Sequence, residues 1–520
     1  MPRSQPPRDR RGQRDLIAFL KATLDDGHGC TQIDTHAASL FLAGDRAWKL
    51  KRAVKYPYLD FSTPPLRRAA LEAELRLNRR TAPDMYLAVH PVVRSGESFR
   101  IGGCGEPVDW LLEMRRIPDQ SLLTDVAEAG GLDITLITRL ADQIHSFHDK
   151  AGPVRREHGA NDVRHIIDGN ADSLARFTPI FGRARVLRLI DSQRKTAERH
   201  AVLLDRRARM GFVRRTHGDL HLANIAVINR EPVLFDCLEF SDELATTDTL
   251  YDVAFLLMDL WRKGLTADAN ILFNRYIDVA ADEEGVRLLP LFMSMRATIR
   301  AHVLAAAAEQ QARSSNQKEA LRFLSLAEAL LEPGSIALTA IGGLSGTGKS
   351  AVARAIAGAF GRAPGARVLR TDVFRKRLAR VPPEQKLAES FYSPLANNIV
   401  YDLICDHASA HLSSGNFVIV DAVLARNDER VRIDRVATHA RVPFIGCWLE
   451  APEATRLARV AKRAGDASDA DVRVVRLQSS RPMRVPSGWH AVSTDASLAQ
   501  VIAKTRAIVE QALTGPHWAG

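Results

Sequence analysis

One stretch constrains this chain more than any other: Gly343-Leu344-Ser345-Gly346-Thr347-Gly348-Lys349-Ser350. It satisfies GxxxxGK[ST], for which about 0.005 chance matches are expected in a chain of this length and composition. The flanks agree with it. The apolar β-type run Ile336–Ile341 comes before, and Ala351–Phe360 has helical patterning after. Glycines let backbone N–H groups curl around phosphate oxygens. The start of the following helix adds a positive dipole end. Lys349 is placed to bridge the outer phosphates, and the Ser350 hydroxyl to ligate Mg²⁺. The eight residues, with Ala351 behind them, are therefore expected to bind ATP (or GTP) with Mg²⁺.

Downstream, RVLRTD, NFVIVDAV and PFIGCWLE each precede a helical stretch. That alternation predicts a parallel α/β sheet. Asp372 ends the first of these runs, at the sheet end where such folds place ligands. A carboxylate there can accept a proton from an acceptor hydroxyl. Asp421 ends the next run and can hold Mg²⁺ through water. Arg456, Arg459 and Arg463 recur at helical spacing, and Arg459 and Arg463 are expected to close over the phosphates. Arg375 is placed to help hold an anionic or polyol acceptor. Glu332-Pro333-Gly334 is a stop signal, which puts a domain boundary near residue 333. Residues 334–520 resemble the small P-loop kinases, a group that includes gluconate kinase, zeta-toxin-type kinases and the kinase module of polynucleotide kinase. The resemblance rests on the Walker A cradle, the TDVFRK segment 371–376, the VIVDAV strand 418–423 and the arginine-bearing stretch 456–463.

Upstream, His217-Gly218-Asp219-Leu-His221-Leu-Ala-Asn224 is followed by Leu234-Phe235-Asp236. This spacing suits phosphoryl transfer: Asp219 as base near an acceptor hydroxyl, Asn224 reaching a metal from the same loop, Asp236 as an anionic Mg²⁺ ligand. The set resembles the HGDxxxxN loop of aminoglycoside and choline phosphotransferases, relatives of the protein kinases. The resemblance implies that His217 holds the loop and that Asp252, in LYDVAF, braces it. It also implies a strand lysine on the nucleotide phosphates. In AWKLKRAV, Lys49 and Lys51 share one strand face; Lys51 is favoured, with Glu74 preferred over Glu72 as its helix partner. No GxGxxG loop precedes Lys49; the stretch reads DTHAASLFLAG. His145 and His148, at i, i+3, lack a third ligand and read as a core or surface pair.

The whole resembles bacterial proteins that fuse an aminoglycoside-phosphotransferase-like part to a P-loop kinase. The expected fold is an α+β kinase-like N-terminal domain, residues 30–333, then an α/β P-loop domain with a parallel sheet, residues 334–520. Residues 1–29 are expected to be a basic N-terminal segment, disordered or partly helical.

At roughly 150 residues per domain, a chain of 520 residues holds two to four domains. No run approaches the roughly 18 apolar residues of a spanning helix, and no apolar stretch follows the basic start as in a secretory signal. Five scattered cysteines without CxxC spacing argue for reduced thiols and a cytoplasmic setting. Residues 334–520 carry 25 Lys and Arg against 16 Asp and Glu. That excess admits a 5′-hydroxyl nucleic-acid kinase, but only 6% of residues are aromatic, few for stacking bases. A third reading makes the P-loop part an ATPase switch and the kinase-like part a binding module. It is weakened because Ala422, not a glutamate, follows Asp421. The favoured reading is a two-site phosphotransferase with a small-molecule hydroxyl acceptor at each site.

Overall fold

A computed structural model of the protein describes residues 9–25, 29–35, 37–56, 59–311, 314–462, 465–480 and 483–514. The chain divides into two compact units that do not follow chain order. One comprises Met1–Leu132, Ser146–Arg156 and Ala208–Asp252; the other comprises Asp133–His145, Glu157–Arg207 and Val253–Gly520.

The first unit is built on an antiparallel sheet. Its strands are β1 (Thr31–Asp34), β2 (Ala38–Ala43), β3 (Arg46–Lys51), β4 (Tyr86–Ser95), β5 (Ser98–Ile101) and β6 (Pro107–Arg115), in the order β1-β2-β3-β6-β4-β5. Strand alternation sorts the side chains of β3. Trp48 and Leu50 join Leu16 and Leu20 of helix α1 (Asp9–Leu24) on one face. Ala47 joins Leu71 of helix α2 (Pro64–Asn78) on the other. The α1 helix, expected only as a disordered or partly helical segment, is pinned by Gln13. Its amide donates to Lys51 O at 3.0 Å and to Asp109 Oδ2 at 2.9 Å. Arg67 completes this buried cluster with two hydrogen bonds to the Asp109 carboxylate. A short hairpin, β7 (Ile225–Ile228) and β8 (Glu231–Leu234), carries the segment that ends in Asp236.

The second unit contains a parallel sheet of β9 (Leu338–Gly343), β10 (Arg367–Arg370), β11 (Val418–Asp421), β12 (Phe444–Glu450) and β13 (His490–Ser493), in the order β10-β11-β9-β12-β13. The central strand β9 is buried throughout, as expected when helices cover both faces. Alternation again divides the apolar residues: Ile341, Ile419 and Cys447 face one core, and Leu338, Val420 and Trp448 face the other. β13 escaped the sequence reading because HAVS is short and polar at its ends.

Contacts within this unit cross residue 333. Arg367 on β10 has no solvent exposure and binds Glu283 and Asp278 at 2.7 and 2.6 Å. Arg377 and His411 also reach Glu283. Burial opposes the charge on Glu283, but these cations hold its carboxyl well below the ordinary range. Asn270 and Asn274 donate to backbone carbonyls of Pro364 and Ala366. Among the described residues, no helix is long and apolar enough to cross a membrane, and all five cysteines are free thiols.

Candidate active sites

In the first unit, the two lysines on one face of β3 converge on a single carboxylate. Lys49 Nζ lies 2.5 Å from Glu74 Oε1 and 2.9 Å from Asp236 Oδ1. Lys51 Nζ lies 2.7 Å from Glu74 Oε2 and 2.6 Å from Glu239 Oε1. Glu74 is the buried partner, while Glu72 points outward and pairs with Arg68 at 2.8 Å. Of the two lysines, Lys49 touches Asp236, whereas Lys51, favoured in the sequence, turns to Glu239. Sequence reasoning missed Glu239, because CLEF offers no spacing that separates it from a surface acid.

Burial works against a charged Glu74, yet the two ammonium groups hold it at about 2 instead of the usual 4.5. Its stabilising contribution is therefore full above pH 4.5 and is lost as pH falls toward 2. Glu74→Gln leaves two buried lysines short of their counter-charge and is expected to cost about 3 kcal/mol. Urea unfolding of the full chain checks this, and the gap from wild type should narrow as the pH is lowered through 4.5.

The HGD loop is held from behind. Asp252, fully buried at the start of helix α3 (Thr249–Arg262), accepts the backbone N–H of His217 at 3.1 Å and of Gly218 at 2.8 Å. His148 Nε2 reaches Asp252 Oδ2 at 3.0 Å. His148 thus braces the bracing aspartate, a role its helical spacing with His145 did not reveal. His217 Nε2 donates to Phe235 O at 2.9 Å, which ties the loop to the segment bearing Asp236. Gly218 has φ +83, and a Cβ there would stand 2.9 Å from those of Ala245 and Leu238. The conformation and the crowding both require glycine.

Asn224 donates its amide to both Asp219 O and Asp219 Oδ2, each at 2.9 Å. Asp236 adopts φ +61, a left-handed conformation that a non-glycine residue holds at a cost, and its N–H donates to the Tyr86 hydroxyl at 3.1 Å. The structure thus assembles Asp219 with Asn224, and Lys49 with Glu74 and Asp236.

In the second unit, the residue 343–350 loop joins β9 to helix α4 (Lys349–Ala357) and borders a cleft of about 970 Å³. Lys349, Ser350, Asp372, Asp421 and Arg459 all line it. Gly346 has φ +85, and a Cβ there would meet Arg456 O at 2.7 Å. The Ser345 N–H donates to Gln478 Oε1 at 2.8 Å, and Lys349 Nζ to Leu344 O at 3.1 Å.

Asp372 is the second residue of helix α5 (Thr371–Leu378), since β10 ends at Arg370 and not, as its sequence run implied, at Asp372. Burial, with Asp421 nearby, raises its pKa; Arg370 and Lys349 oppose the shift without cancelling it.

Arg370 carries no signal in the sequence, yet it joins the site. Its guanidinium donates to Ser350 Oγ at 3.1 Å, to Asp421 Oδ2 at 3.1 Å and to Asp466 Oδ1 at 2.8 Å. Two of the oxygens assigned to Mg²⁺ therefore converge on one point. Arg459 donates to Thr494 O at 2.8 Å and Thr494 Oγ1 at 3.0 Å, at the rim of the loop. Arg456 does not share that position; it is buried and donates to Ser479 Oγ at 2.6 Å. Arg463 lies outside the described residues. Arg375 donates to Phe391 O and to Asn397 Oδ1 and stacks over Tyr392, so much of its guanidinium supports the cleft wall. Asp469 organises the rest of that wall by binding Lys376, Tyr392 and the Leu387 N–H.

The AAA domain family matches residues 338–483, which places the loop and its cleft in a nucleotide-binding P-loop domain. The uncharacterized protein Rv2004c of Mycobacterium tuberculosis (strain ATCC 25618 / H37Rv) is 30% identical over 481 residues, 89% of this chain and 91% of the relative. The chain belongs to the same family as that mycobacterial protein. The identity spans both units, and the AAA domain match lies in the second. Among solved structures, a choline/ethanolamine kinase family protein from Mesorhizobium loti matches at 15% identity and a TM-score of 0.39, covering 62% of this chain and 95% of its own. A gluconokinase from Sinorhizobium meliloti 1021 matches at 21% identity and a TM-score of 0.25, covering 34% of this chain and 93% of its own.

Proposed function

We propose that this protein is a two-site phosphotransferase that moves the γ-phosphate of ATP to a hydroxyl of a small-molecule acceptor at each site. The observation that carries the reading is the single cleft that gathers Lys349, Ser350, Asp372 and Asp421, with room beside them for an acceptor. In the P-loop domain, the backbone amides of residues 343–350 and the Lys349 ammonium bind the phosphates. Asp372 takes the acceptor's proton, and its raised pKa makes it a better base than an ordinary aspartate. Arg459 anchors the rim, and Arg463 is assigned to the same closing group.

At the N-terminal site, Lys49 is placed for the phosphates, positioned by Glu74, with Lys51 keeping Glu74 and Glu239 neutralised. Asp219, oriented by Asn224, receives the acceptor proton.

Mg²⁺ fits both donor sets. Ser350 and Asp421 offer hard oxygens at one point, and Asp236 with the Asn224 amide oxygen offers the N-terminal equivalent. Among the described residues, no group of three or more His, Cys, Asp or Glu is arranged to hold a metal. Mg²⁺ in phosphoryl-transfer sites is commonly held by one or two carboxylates plus substrate phosphates and water. When bound, the ion neutralises charge developing on the transferring phosphoryl group.

The test is a transfer screen with labelled ATP and the full chain against sugars, polyols, aminoglycosides and 5′-hydroxyl oligonucleotides. Phosphorylated product supports the reading. Free phosphate alone, with every acceptor, returns the ATPase switch. In the same chain, Lys349→Ala is expected to weaken nucleotide binding at the P-loop about ten-fold or more, since one charge-assisted contact is lost. Calorimetry showing unchanged affinity at both sites would remove Lys349 from the phosphate site.

A further inference from the structure

A second cavity, of about 650 Å³, lies within the second unit beside the nucleotide cleft. It is lined by Ile134, Thr138 and Asp142 on one side and by Val368, Arg370 and Arg354 on another. Ser350, Arg370 and Asp466 form the stretch of wall next to the P-loop, while residues 343–349 do not line it. It therefore adjoins the phosphate cleft, with Ser350 and Asp466 lining both.

The charges in its wall do not balance locally. Each lining carboxylate has an arginine: Asp142 and Glu384 bind Arg275, Asp278 binds Arg367 and Arg377, and Asp466 binds Arg370. Two lining cations have no such partner. The side chains of Arg354 on α4 and of Lys462 form no hydrogen bond or ion pair among the described residues; Lys462 is exposed and Arg354 only partly so. Burial, followed by the neighbouring charge of Arg370, pushes Arg354 below its ordinary pKa; the more distant pull of Asp466, Asp421 and Asp278 does not make up the difference. A half-buried guanidinium without a counter-ion is costly unless an anion supplies one. The remaining wall includes Ile134, Ile271, Val368 and Val373, an apolar surface suited to the body of a small organic anion.

We propose that this cavity is an anion site that takes a small phosphate monoester, its phosphate on Arg354 and Lys462 and its body against Ile134, Ile271 and Val368. The site is independent of the transfer chemistry assigned above. Its lining residue Arg370 also holds Ser350 and Asp421, so an occupant would sit one side chain away from the nucleotide site.

The probe is inorganic phosphate, titrated calorimetrically at low ionic strength into the full chain carrying Lys349→Ala, which silences the P-loop. Saturable binding is expected to persist there. Adding Arg354→Gln should weaken it at least ten-fold, whereas Arg354→Lys, which keeps the charge, should retain most of it. Thermal melting gives a second reading. Phosphate should raise the melting temperature of the Lys349→Ala chain and leave that of Lys349→Ala/Arg354→Gln unmoved. Without phosphate, the Arg354→Gln chain should melt no lower than its parent, because it gives up no ion pair. The proposal is overturned if the Lys349→Ala chain binds no phosphate, or if Arg354→Gln leaves the binding and the melting shift unchanged.

Discussion

Asp219→Asn is expected to reduce transfer at the N-terminal site about a thousand-fold, the middle of the range for a lost general base, while nucleotide affinity there stays within about two-fold. The separation follows from geometry. Asp219 is bonded to Asn224, whereas the groups assigned to the nucleotide are Lys49, Glu74 and Asp236. The replacement keeps the side-chain shape and can still bond to Asn224 after an amide flip, so the loop should survive. Asp252 and His148 hold the loop from behind and are untouched. The measurement is turnover of the acceptor found in the transfer screen, with nucleotide titration in a Lys349→Ala background. Turnover at the wild-type rate would remove Asp219 from the chemistry. A collapse of nucleotide affinity would mean that the loop, not the base, had been damaged.

The second large effect is expected at Asp372. Its carboxylate is half-buried in the cleft near Asp421, and its pKa is raised, so the charged form is disfavoured in the folded protein. Two consequences of opposite sign follow. Asp372→Asn should abolish acceptor-dependent ATP use at the P-loop domain. It should also raise the melting temperature, by about 1–2 °C, because a charge that costs stability at neutral pH is gone. A purely structural aspartate would give the reverse: activity retained and stability lowered. For the wild-type protein, the acid limb of the transfer rate should lie above the ordinary aspartate value of 3.8, since the base works only when ionised. An acid limb at or below that value, or wild-type turnover in Asp372→Asn, would sink the assignment.

What the residues alone determined are the features that depend on local chemistry. The strand, loop and helix around Gly343–Ser350 were legible because phosphate binding demands glycines, a lysine and a hydroxyl at fixed spacing. The HGDLHLAN loop was legible for the same reason. Helix Thr249–Arg262 is a long, largely apolar run and is buried along most of its length. The choice between lysines was different. Strand alternation put Lys49 and Lys51 on one face, but only packing against α2 decided that both meet Glu74 and that Lys49 is the one beside Asp236. Arg370, Asp466, Glu239 and His148 read as ordinary charges on their elements. They became part of the sites because the fold brings partners together from 20 to 188 residues away. The break at Glu332-Pro333-Gly334 ends a helical pattern, yet Arg367 is neutralised only by Asp278 and Glu283 from before it. Turn chemistry acts over a few residues and is written in the chain. The pairing of buried charges is settled by which surfaces exclude water together, and that exists only in the tertiary structure.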